Sequence, residues 1–214
     1  VSAGLADGKT IGQGLEEMDK IAAQTLDETF RTALSGDSKD YRESSSSLMF
    51  AFILALILIY LILAAQFESF KDPFIIMLTV PLAIAGALIF MYAGGITMNI
   101  FSQIGIIMLI GLVAKNGILI VEFANQKQEG GENKMQAIRD AALQRLRPIL
   151  MTSASTVLGL IPLAFATGEG ANQRIAMGTA VVGGMLVSTF LTMYIVPAIY
   201  SYISTNRNVK TEIV

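Results

Sequence analysis

The sequence predicts an all-α polytopic membrane protein with five transmembrane helices, preceded by a partial α+β segment of strand–helix–strand form. Two observations carry that prediction. Over 214 residues the chain is 53% hydrophobic and only 15% charged, which is too apolar for an ordinary soluble domain. The apolar residues are also gathered into five runs of about 20 residues or more, enough to cross a hydrocarbon core about 30 Å thick. Function classes are narrowed at the same time. The chain contains no histidine and no cysteine, which excludes imidazole metal sites, thiol chemistry, disulfides and Ser-His-Asp or Cys-His catalysis within it. A net charge of −2 gives no reason to invoke nucleic acid.

Residues 1–43 are soluble in character. Residues 1–5 suit a short strand. Thr10-Ile11-Gly12-Gln13 has the form of a capping box, and behind it Ile11, Leu15, Met18, Ala22 and Leu26 recur at helical spacing. Residues 30–34 suit a second strand, ended by Ser35-Gly36-Asp37-Ser38. So small a unit cannot bury enough surface to stand alone. No basic region with an apolar core and a small-residue cleavage site precedes it. The chain is therefore expected to be the C-terminal piece of a longer polypeptide, with residues 1–43 packing on upstream chain.

The spans are expected over residues 48–67, 73–92, 97–124, 147–167 and 175–203, within a membrane domain of residues 44–206. A polar turn at residues 66–72 joins the first two. Pro81 falls inside the second, where neighbouring helices can satisfy the carbonyl it frees. Residues 93–96 make a tight turn into the third. Residues 133–146, with Met135, Ile138, Ala142 and Leu146 on one face, read either as a helix lying along the interface or as a short solvated helix. Pro162 breaks the fourth span. In the fifth, Ala180, Gly184 and Ser188 form a small-xxx-small stripe that lets helix backbones approach closely. Lysine and arginine gather at alternate ends, at Lys71, at Lys127 to Arg147, and at Arg207 and Lys210. This bias puts those ends and the tail, residues 207–214, in the cytoplasm and residues 1–43 in the periplasm.

Within the third span stands Lys115, followed by Asn116. No charged residue separates Asp72 from Lys115, and the apolar run resumes until Glu122. An ammonium at the centre of a bilayer costs roughly 2.5–3.5 kcal/mol on insertion scales. Lys115 must therefore either snorkel to an interface or meet an anionic partner, and its depth favours the partner. Apart from Glu122 at a span end, the expected spans contain no carboxylate to supply it. Asn116 is placed to hydrogen-bond across helices. Glu122 suits a solvated helix end or a route for proton exit.

Three motifs carry a family resemblance: Val80-Pro81-Leu82-Ala83-Ile84-Ala85-Gly86-Ala87, the run from Gly111 to Ala124, and Arg145-Leu146-Arg147-Pro148-Ile149-Leu150-Met151-Thr152-Ser153. In that order they resemble the resistance-nodulation-division (RND) transporters, most closely the hydrophobe/amphiphile multidrug efflux branch. The resemblance implies that the five spans are the last five of a twelve-helix protomer and that residues 1–35 end a periplasmic porter loop. It implies a trimeric drug/proton antiporter in the bacterial inner membrane, driven by the proton gradient without a cofactor, with a periplasmic adaptor and an outer-membrane channel as partners. It also implies that Lys115 ion-pairs with an aspartate pair carried by the N-terminal half of such a protein, that Thr152 is a relay hydroxyl, and that Arg145 lies near the cytoplasmic mouth. The alternatives are another RND branch exporting metals, lipids or proteins, and a non-transporting structural fragment. No intramembrane nucleophile, base or metal set supports a membrane enzyme.

Overall fold

In lipid, helices gain little from burying apolar side chains against one another, so association rests on close packing and interhelical hydrogen bonds. Both are concentrated on the last helix of this chain. The computed structural model describes residues 3–4, 11–27, 29–168 and 170–205. Their helices are α1 (Ile11–Thr25), α2 (Asp37–Phe67), α3 (Lys71–Met77), α4 (Thr79–Ala93), α5 (Ile100–Glu129), α6 (Lys134–Ala164) and α7 (Ala171–Ile203). With α3 and α4 taken as one span, five are long and apolar enough to cross a membrane.

Helix α7 packs against α4, α5 and α6. Its Ala180, Gly184 and Ser188 are all fully buried, as the small-residue stripe predicts. Two glycines set the approach. A Cβ on Gly178 would lie 2.6 Å from the backbone nitrogen of Ala164 on α6, and one on Gly184 would lie 2.8 Å from the carbonyl of Ala83 on α4. Two apolar clusters fill the bundle. One joins Ala83, Ala87, Leu109, Val113, Ala180 and Val181. The other joins Ile75, Ile76, Ile120, Val121, Ile149 and Val196. Helix α2 stands at the periphery: only 6% of its apolar window is buried, against 56% for α5.

Four features differ from the sequence reading. The second span breaks at Leu78, between α3 and α4. A proline ring clashes with the carbonyl four residues earlier, which for Pro81 belongs to Met77, the last residue of α3. The Thr79 hydroxyl donates to the Ile76 carbonyl at 2.7 Å and so occupies a carbonyl at the break. Secondly, residues 133–146 are not a separate helix. Helix α6 runs unbroken through Arg147 and Pro148, with Ala137, Ile138 and Ala141 buried in the protein. Packing on the bundle thus overrides both a flat interfacial placement and the proline. Pro162 likewise lies within α6. Thirdly, α5 begins at Ile100, where Asn99 and Ser102 form a reciprocal capping box with both bonds at 2.9 Å.

The fourth difference is the strand–helix–strand segment. Helix α1 forms where expected, but residues 30–34 are not a strand. An extended segment becomes a strand only by pairing with another, and among the described residues none does so. The other expected strand, residues 1–5, lies outside the described residues apart from Ala3 and Gly4. Helix α1 packs on α2, held by the Asp19–Arg42 ion pair at 2.8 Å. The expected domain division after residue 43 falls inside α2.

The backbone approach at Gly178 sets a test. Gly178→Ala is expected to destabilise the purified full-length protein by about 1–3 kcal/mol, because the new methyl meets backbone. Gly159→Ala on α6, where an added Cβ would have nothing within 4 Å, is expected to be neutral or to stabilise by up to about 1 kcal/mol. Thermal unfolding in detergent measures both, and the reverse order would contradict the α6–α7 crossing.

Candidate functional site

Fifteen residue steps separate Lys115 from Ile100 and fourteen separate it from Glu129. At 1.5 Å per residue its Cα is about 21–23 Å from either end of α5. The helix exposes Lys115 on the outside of the bundle, and no described residue pairs with its ammonium. Asn116, one position on, is 2% exposed. Successive residues on a helix are turned by about 100°, so one helix carries a charge outward and an amide inward at the same level.

The inward amide enters a polar seam. Asn116 Nδ2 donates to Ser153 Oγ on α6 at 3.3 Å, and the Thr189 hydroxyl on α7 donates to the same oxygen at 3.1 Å. Both hydroxyl residues are at most 5% exposed. The seam thus joins three helices at one serine. One turn along α7, Thr192 is 1% exposed and its hydroxyl has no hydrogen-bond partner.

The other expected site residues are placed separately. Thr152 is exposed, and its hydroxyl donates to the Pro148 and Ile149 carbonyls at 3.0 and 3.1 Å, the back-bonding common for threonine within a helix. Arg145 is half-buried, with its guanidinium carbon 4.4 Å from the Phe123 ring centre and its Nε buried without a partner. Phe123 lies eight residues beyond Lys115 on α5, about 12 Å along the axis. Glu122 accepts a hydrogen bond from Gln126 Nε2 at 3.0 Å and borders an open groove of about 410 Å³ with Glu68 and Glu129. Among the described residues no histidine, cysteine or carboxylate group is arranged to hold a metal. Asn116 and Ser153, the chain neighbours of Lys115 and Thr152, touch; no bond joins Lys115 to Thr152 or Arg145.

A second polar cluster was not legible in the sequence. Asp72, expected in a solvated turn, is 2% exposed at the start of α3. Its carboxylate accepts from Asn125 Nδ2 at 3.1 Å and from the Ser204 hydroxyl at 3.4 Å. The Tyr200 hydroxyl donates to Asn125 Oδ1 and accepts from Gln128 Nε2 at 2.7 Å. Lys134 Nζ caps the Ser204 carbonyl at 3.0 Å. The beginnings of α3 and α6 and the ends of α5 and α7 are fastened together by these groups. The signal available was local: each is a polar residue at the margin of an apolar run, where burial and solvation look alike.

A polytopic helical membrane protein with a mid-span cation on its outer face is the class this arrangement defines. A profile of the AcrB/AcrD/AcrF family matches residues 1–204, and the chain belongs to that family, in agreement with the RND resemblance of its motifs. It is similar to a transporter of Haemophilus influenzae, 40% identical over 214 residues, covering 97% of this chain and 21% of that protein. It is 38% identical over 199 residues to the toluene efflux pump membrane transporter TtgB of Pseudomonas putida, covering 93% of this chain and 19% of that one. It is 39% identical over 196 residues to the multidrug resistance protein MdtF of Escherichia coli, covering 91% and 19% respectively. The chain spans about a fifth of the length of these curated relatives.

Removing the Tyr200 hydroxyl isolates the second cluster's contribution. Tyr200→Phe keeps the buried ring but removes the hydroxyl that bonds to both Asn125 and Gln128, and is expected to cost about 1–3 kcal/mol in thermal unfolding of the full-length protein. An unchanged midpoint would show that water or lipid headgroups replace the lost bonds.

Proposed function

We propose that this chain is the C-terminal membrane portion of a proton-driven RND efflux transporter that exports hydrophobic and amphiphilic compounds by drug/proton antiport. The observation that carries the reading is Lys115: a cation at the middle of a membrane-length helix, turned outward from its own bundle, with no anionic partner among the described residues. Glu122, the nearest charged residue along α5, is seven residues or about 10 Å from Lys115, more than a lysine stem covers by snorkelling. The remaining solution is a carboxylate-bearing helix seated against that face, supplied by the rest of the protein. The names of the relatives TtgB and MdtF support efflux as the process.

The chemistry follows from electrostatics. Two ionised carboxylates beside Lys115 both attract its ammonium. Protonating one weakens that attraction and lets the lysine reorient, so helix position follows the proton. Lysine suits the role as a compact charge on a flexible stem, and arginine does not replace it. On this reading Thr152 relays protons by exchanging its bonds to the Pro148 and Ile149 carbonyls for bonds to the outer face, and Arg145 lies toward the cytoplasmic end, which α6 enters first. Asn116 holds the inner side of α5. Residues 1–43 stand in the periplasm and the tail in the cytoplasm. The protomer works as a homotrimer with a periplasmic adaptor and an outer-membrane channel.

In the full-length protein, Lys115→Ala is expected to lower drug export more than tenfold, by at least about 1.4 kcal/mol in free-energy terms, while the protein still accumulates and assembles. Lys115→Arg is expected to fail similarly. Thr152→Ala is expected to reduce export and Thr152→Ser to restore it. Efflux of a fluorescent amphiphile from cells, read beside the amount of assembled trimer, decides the matter. Normal export by the alanine variant would end the relay reading, and lost assembly would favour a structural role for Lys115.

A further inference from the structure

Asn116 reaches its place only because two other helices hold it there. Its amide is 2% exposed and donates to Ser153 Oγ at 3.3 Å, while Thr189 donates to that same oxygen at 3.1 Å. Lys115 and Asn116 share one rigid backbone, so whatever fixes the direction of the inner side chain also fixes the direction of the outer one. Packing limits the rotation at this level: Val113 and Ala114 are buried, and a Cβ on Gly117 would lie 3.2 Å from the Ile76 side chain. The hydrogen bonds add a directional constraint to that packing, because they depend on angle as well as distance. We propose that Ser153 and Thr189 are positioning residues for Lys115: their hydroxyls anchor Asn116 and thereby set the rotation of α5 that aims the ammonium out of the bundle. The proposal rests on the reading of Lys115 as the relay cation for its functional meaning, but not for its geometry.

Ser153 is the hub of this anchor. It alone touches both other members, so its loss leaves Asn116 and Thr189 without the partner they share. Thr192 supplies an internal control. It lies three residues beyond Thr189 on the same helix and is equally buried, yet its hydroxyl bonds to nothing. A general effect of polarity inside the bundle would make Thr192 matter as much as Thr189. An anchor requires that it should not.

The test uses the full-length protein with any cysteines outside this chain replaced by serine; this chain has none of its own. In a Lys115→Cys background, the rate at which a membrane-permeant maleimide labels position 115 reports how that position is presented, independently of transport. Ser153→Ala and Thr189→Val are each expected to change the rate by about threefold or more, the population shift that one interhelical hydrogen bond of average strength in a membrane carries. Thr189→Ser and Thr192→Val are expected to leave it unchanged. With Lys115 restored, Ser153→Ala and Thr189→Val are expected to shift the pH dependence of efflux, and Thr189→Ser to recover it. Labelling is read on assembled protein only, so Ser153→Ala, the smaller change, carries the test if Thr189→Val accumulates poorly. Unchanged labelling in Ser153→Ala overturns the proposal, as does an equal effect from Thr192→Val. Altered labelling with an unaltered pH profile upholds the positioning role and instead removes Lys115 from the relay.

Discussion

The approach of α7 to its neighbours through glycine is the constraint on which the rest of this structure depends. Inside lipid there is no apolar driving force to pull helices together, and what remains is shape and a few directional bonds. Gly178 and Gly184 bring the α7 backbone to within van der Waals reach of α6 and α4. Only at that separation can a hydroxyl as short as that of Thr189 meet Ser153, and only then does Asn116 find the oxygen it donates to. Close packing and polar satisfaction are therefore one event here. A side chain at either glycine would also open the seam.

The lysine level of α5 shows how a membrane helix carries a charge and an amide without conflict. A polar group in hydrocarbon needs a partner, and the two groups face opposite directions. Asn116 is satisfied within this chain. Lys115 is left for the face that this chain does not cover, in keeping with a family whose members TtgB and MdtF are about five times as long as the chain. The sparse burial of α2 and α6 fits the same division: the bundle is tight around α7 and open elsewhere.

Much of this architecture was legible because hydropathy is a local property. A run of apolar residues reports a span whatever its neighbours do, and an isolated lysine in such a run stands out by its cost. The small-residue stripe at Ala180, Gly184 and Ser188 was equally readable, since helical spacing alone puts those positions on one face. What escaped was everything decided by a partner distant in sequence. Asp72 next to Lys71 and Pro73 looks like part of a turn; its burial is made by Asn125, Tyr200 and Ser204, which no local pattern connects to it. Residues 30–34 have strand-like composition, but a strand is a relation between two segments. The continuity of α6 through Pro148 escaped for a related reason: Ala137, Ile138 and Ala141 are held by the bundle, and that tertiary hold outweighs the punctuation a proline supplies.

The fastening at Asp72 has a consequence for how the chain is made. A ribosome delivers Asp72 long before Tyr200 and Ser204, with three further membrane-length helices emerging in between. Until α7 has entered, Asp72 lacks the Ser204 hydroxyl and Asn125 lacks the Tyr200 hydroxyl, so the cluster at that end is incomplete. A chain stopped before residue 200 would keep the bond from Asn125 to Asp72 but not its closure by α7, so α7 completes a fastening whose other parts are already made.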